Sequence, residues 1–95
     1  MVSFIVRLRF DAAESDEIAV ILHELQAASR QEPGCVSYIA HFVEGTPGTV
    51  LIYEQYKDSA ALEFHRETAH FKRYAIGGLY QKMLERHVEN LNAVD

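Results

Sequence analysis

The sequence predicts an α+β fold of order β-α-β-β-α-β, a four-stranded antiparallel sheet with helices on one face. Three observations predict it. Residues 2–10 alternate, Phe4, Val6, Leu8 and Phe10 against Ser3, Ile5, Arg7 and Arg9, as in a strand with one buried side. Ile18, Ile21, Leu22, Leu25 and Ala28 recur at steps of three and four, which lays one apolar stripe along a helix. Two more strand-like runs, 35–43 and 50–56, flank Glu44-Gly45-Thr46-Pro47-Gly48, a stretch of turn formers that suits an antiparallel connection.

The elements follow in order. After the first strand, Asp11 to Asp16 turns the chain, and Ser15 or Asp16 can cap the helix that runs to about Gln31. Glu32-Pro33-Gly34 ends that helix: proline cannot continue it, and glycine takes a positive φ at little cost. In the second strand Val36, Tyr38, Ala40 and Phe42 oppose Cys35, Ser37, Ile39 and His41. Val50 to Tyr56 is rich in β-branched and aromatic residues and forms the third. Lys57-Asp58-Ser59 stops it and offers a helix cap, and Thr68 offers a second one before Ala69-His70-Phe71. Gly77-Gly78 weakens the last helical stretch, and a final strand is expected near Val88–Val94. This is the split βαβ, or ferredoxin-like, plan. With helices on one side only, the other sheet face is left bare, and pairing two such sheets as a two-fold homodimer would cover it.

Composition bounds the function. A chain of 95 residues makes one domain, 1–95. A net charge of −5 with scattered Lys and Arg argues against nucleic acid as a partner, since phosphate binders carry a basic stripe. A lone cysteine, Cys35, excludes an internal disulfide and fits a cytoplasmic setting. Arg7 and Arg9 interrupt the only candidate secretory segment, and no apolar run is long enough for a membrane helix. No glycine-rich nucleotide or flavin motif is present, so no cofactor is expected.

Three spaced motifs carry a resemblance. Ser29-Arg30-x-Glu32-Pro33-Gly34-Cys35-x-x-Tyr38, Ile52-x-Glu54-x-Tyr56-x-Asp58 and Phe64-His65-x-x-Thr68-x-His70-Phe71 together resemble the antibiotic biosynthesis monooxygenase domain, a dimeric α/β-barrel family, over essentially the whole chain. The resemblance implies a dimeric barrel. Its activities include cofactor-independent oxidation of quinols and polyketide phenols, haem degradation and isomerisation of a phosphorylated signal molecule. The quinol-oxidising and autoinducer-degrading branches are the most similar. The haem-degrading branch carries an iron-ligating histidine where this chain has Ala75, and an asparagine where it has Leu8, so haem is not expected.

Within that resemblance, His65 would look into a cavity between helix and sheet, where an imidazole titrating near neutrality can take and return a proton. Tyr53 and Glu54 are the further catalytic candidates. Glu54, inside a strand, needs a partner: either it is a base in the pocket, or Arg7 or Arg9 pairs with it across the strands. Tyr38 and Tyr56 could donate to a quinone-type oxygen or stack on its ring. Tyr53 and Tyr56, odd and even on one strand, cannot both line one pocket. Leu8, Phe64 and Phe71 would supply apolar contact, and His70 a polar one. Arg30 could neutralise an anionic substrate or complement a helix dipole. His70 follows His65 by five residues, about 140° around a helix, whereas a zinc pair favours a spacing of four, so no metal is expected. The leading expectation is a monooxygenase acting on a quinol or phenol with O₂. The alternatives are an isomerase of a small phosphorylated hydroxy-diketone and a non-catalytic dimeric barrel that binds a ligand.

Overall fold

The computed structural model describes residues 1–95. The order is β1 (Val2–Arg9), α1 (Ser15–Ser29), β2 (Cys35–Phe42), β3 (Thr49–Tyr56), α2 (Ser59–Glu67), a π-helix (Phe71–Leu79) closed by one turn, α3 (Tyr80–Lys82), and β4 (Glu85–Leu91). The strands form one antiparallel sheet in the order β2-β3-β1-β4, the ferredoxin-like arrangement expected from the alternation of patterns.

The core lies between helices and sheet. Phe4, Val6 and Leu8 of β1, Val50 and Ile52 of β3, and Ile18, Leu22 and Leu25 of α1 are all buried there. These are the even positions of β1 and the stripe of α1, so the two periodicities meet in one apolar layer. On the other sheet face Ile5, Ile39, Leu51 and Tyr53 are aligned across three strands and stay half-buried or exposed.

Several local expectations are corrected. Neither Ser15 nor Asp16 caps α1: the Asp11 side chain caps the short 3-10 turn Ala12–Glu14 instead, and the Ser15 hydroxyl donates to the Ala12 carbonyl. Gly34 has no positive φ. It is glycine because a Cβ there would sit 2.3 Å from the Ala61 Cβ, so the turn can press against α2. Positive φ belongs to Gly45 and Gly48, and at Gly48 a Cβ would also meet the Phe10 carbonyl oxygen at 2.3 Å. Gly77 and Gly78 do not break their helix; they lie in its π-wound part, where Gly78 lets the helix approach Ile21 of α1. The last strand runs Glu85–Leu91, three residues earlier at both ends than Val88–Val94, because its partners on β1 run from Arg9 back to Ser3. No helix is long and apolar enough to cross a membrane.

Candidate functional site

α2 starts where Asp58 Oδ1 accepts from the Ala61 amide at 2.8 Å, and it ends at Thr68, whose backbone is extended. The Thr68 hydroxyl accepts from the Phe71 amide, so the same residue starts the next helix. This break re-aims the chain between His65 and His70. The turn 29–34 comes from the other side: the Glu32 amide donates to the Ser29 carbonyl, and the Lys57 amide fastens the turn to the start of α2 through the Gly34 carbonyl. The Glu32 carboxylate is thereby buried against both imidazoles.

His65 Nδ1 lies 2.8 Å from Glu32 Oε2, and His70 Nε2 meets the same oxygen. The other nitrogen of His65, Nε2, lies 3.7 Å from Glu54 Oε1, which in turn accepts a 2.6 Å hydrogen bond from the Tyr56 hydroxyl. His65 is 2% exposed, and its ring packs between Tyr38, Tyr56 and the edge of Phe71, with centroids 5.1–5.9 Å apart.

Nε2 faces a small hollow under α2 and the π-helix, bounded by Leu8, Tyr38, Ile52, Glu54, Phe71 and Leu79 among others. Its free volume is about 40 Å³, room for a water or two and for O₂. It opens to solvent through a mouth on one side, and a phenol ring, larger than this free volume, has to displace side chains there to reach Nε2. Arg66 and Arg86 stand at this mouth, Arg86 with its guanidinium 5.4 Å from the Tyr80 ring.

Burial shifts the ionisable groups. It pushes Glu54 up to about 7, against the Tyr56 hydrogen bond and the Arg66 and Arg86 charges, which pull it down. It holds His65 below the usual imidazole value, against the hydrogen bond and charge of Glu32. The Tyr38 and Tyr56 hydroxyls are raised far above the phenol range, first by burial and then by Glu54.

The structure brings together His65, Glu54, Tyr38, Leu8 and Phe71 around the hollow, with Tyr56 behind Glu54. It moves the other candidates elsewhere. Tyr53 pairs with Ile5 and Ile39 on the opposite sheet face, because it is one residue from Glu54 on a strand. Arg30 donates from Nε to the Tyr38 carbonyl at 2.9 Å, so it secures β2 and does not reach the hollow. Phe64 is 55% exposed and lines a separate open groove with Thr68 and His70. Glu54 has no arginine across the strands: it is registered with Phe4, while Arg7 and Arg9 project from the other face, where Arg9 pairs with Glu85.

Glu32 is the residue that a reading for chemistry misses. It is 33 positions from His65, and only its place in a Glu-Pro-Gly turn marks it. The spacing argument against a metal also loses its geometry here. Because Thr68 interrupts the helix, the His65 and His70 nitrogens and the Glu32 oxygen all lie within 4.8 Å of one another, a set that could hold a metal ion.

Comparison with known proteins adds a family. The antibiotic biosynthesis monooxygenase family model matches residues 1–75. YcnE of Bacillus subtilis (strain 168), named as a candidate monooxygenase, is 40% identical over 50 residues, 53% of this chain and 53% of that protein. The chain spans about half the length of the relatives it matches in sequence. A crystal structure of an antibiotic biosynthesis monooxygenase superposes with a TM-score of 0.91 at 27% identity, covering 100% of both chains. PA3566 from Pseudomonas aeruginosa superposes with a TM-score of 0.89 at 26% identity over 99% of this chain and 94% of that one.

Proposed function

The chain belongs to the antibiotic biosynthesis monooxygenase family, and from that premise we propose that it oxidises a quinol or phenol with O₂, using no resident cofactor. The observation that carries this reading is His65 Nε2 at the wall of an apolar hollow, with Nδ1 held from behind by Glu32. A carboxylate oxygen accepts and does not donate, so Nδ1 carries the hydrogen and Nε2 is left with its lone pair. Burial keeps this imidazole neutral near pH 7 and able to act as a base.

A phenol at Nε2 loses its hydroxyl proton to His65. The phenolate passes one electron to O₂, and the phenoxyl radical and superoxide combine into a peroxide at a ring carbon that bears hydrogen. His65 returns the proton to the peroxide, and the hydroperoxide loses water to leave a carbonyl, so one oxygen enters the product and the other leaves as water. Glu54, about half protonated near pH 7, can donate a hydrogen bond to the developing oxygen anion while Tyr56 fixes its geometry. Apolar walls keep water from the radical pair. Turnover of a phenol panel under isotopically labelled O₂ is expected to put one labelled oxygen into the quinone product and to stop under argon. A product without label refutes oxygenation.

One observation favours a second reading, an isomerase of a small phosphorylated hydroxy-diketone. Arg66 and Arg86 at the mouth could anchor an anion. That reaction needs no oxidant, so equal turnover of such a substrate with and without O₂ would select it.

We infer also that a second copy of the chain covers the bare sheet face, because Ile5, Ile39, Leu51 and Tyr53 form an apolar patch there. Sedimentation at micromolar concentration is expected to give twice the chain mass. A monomer at that concentration overturns the inference.

A further inference from the structure

The groups behind His65 form a second possible site, distinct from the hollow in front of it. We propose that Glu32, His65 and His70 bind a divalent transition-metal ion of the zinc class. Two imidazole nitrogens and one carboxylate oxygen form a donor set common to such ions. The three ligand atoms already lie within 4.8 Å of one another.

A second observation points the same way. Glu32 is 7% exposed, and its other oxygen, Oε1, is buried without any hydrogen-bond partner. Buried carboxylate oxygens are normally satisfied, and an ion held by both oxygens would supply what Oε1 lacks. Zinc bonds of about 2.0–2.2 Å in tetrahedral geometry set ligand atoms roughly 3.3–3.6 Å apart, so Glu32 Oε2 has to draw back by about 1 Å or less from each imidazole nitrogen it now meets. An approach exists too. Glu32 and His70 line the open groove with Gln31, Thr68 and Phe64, where a water could complete the coordination.

The ion would sit on the Nδ1 side of His65, while Nε2 faces Glu54 and the hollow. It would therefore not touch a substrate there. Binding the ion displaces the hydrogen from Nδ1, and the neutral ring then carries its hydrogen on Nε2. The base proposed above is switched off, so inhibition by the metal rests on that reading, whereas binding does not.

The test uses chelator-treated protein, with Zn²⁺ followed by calorimetry and Co²⁺ by its visible ligand-field absorption. One equivalent is expected to bind with micromolar or tighter affinity. His70→Ala, at a partly exposed position, should weaken this at least about tenfold, while Cys35→Ser and His41→Ala should not. No binding overturns the site, as does binding that survives His70→Ala or disappears in Cys35→Ser. In the presence of one equivalent of Zn²⁺, wild-type turnover should fall and that of His70→Ala, relative to its own metal-free rate, should not. Tight binding without inhibition supports the metal site and counts against His65 as the base, so the two ideas fail separately.

Discussion

Replacing His65 by alanine is expected to slow phenol-dependent O₂ uptake about 10²-fold, the scale of a lost acid–base group. The ring also fills space between Tyr38, Tyr56 and Phe71, and its removal leaves Glu32 without one of its two donors. Some of the loss could therefore come from a loosened fold. His65→Gln keeps most of the volume and a donor toward Glu32 while removing the base, so it should lose as much activity with a near-native melting curve. An oxygen electrode decides the matter: uptake unchanged in both variants takes His65 out of the mechanism.

The second large effect is on stability. Folded Glu54 keeps its proton up to about pH 7, whereas its ordinary value is 4.5. Between those values the folded state holds more protons than the unfolded one, so stability falls as pH rises. Its contribution is fully present below 4.5 and is lost by the time pH has passed about 7. At ~1.4 kcal/mol per pH unit the loss amounts to about 3 kcal/mol. Glutamine cannot ionise, so the stability of Glu54→Gln relative to wild type should improve by about 3 kcal/mol between about pH 4.5 and about pH 8. His65 pulls the other way. Its value is lowered by burial, so it favours the folded state as pH rises and would mask the effect in wild type alone. Urea unfolding of both proteins across this range reads the difference; parallel curves would show that Glu54 ionises normally inside the fold.

Much of the fold is legible in the sequence because each buried face repeats with its own period. The even positions of β1 and the stripe of α1 mark the two sides of the core without reference to each other. What escapes is whatever depends on meeting a distant segment. Gly34 reads as a turn former, yet Ala61 of α2 is what requires it. The site divides in the same way. His65 can be picked out because the resemblance places it on the helix after the third strand, facing the cavity; without it a histidine there reads equally as a helix-end cap or a partner for a core carbonyl. Tyr53 is separated from Tyr56 by strand alternation alone. Glu32 has no such local sign, since its chemistry begins only when the turn after α1 is pressed against α2. A helical wheel drawn through residues 65–70 misleads because it assumes an unbroken helix, which Thr68 interrupts.

Two imidazoles rest on one carboxylate oxygen, so Glu32 ties the rim of the groove to the wall of the hollow. His70 stands partly in solvent and His65 does not, so a contact that displaces His70 at the surface pulls on the same carboxylate that holds His65 in place.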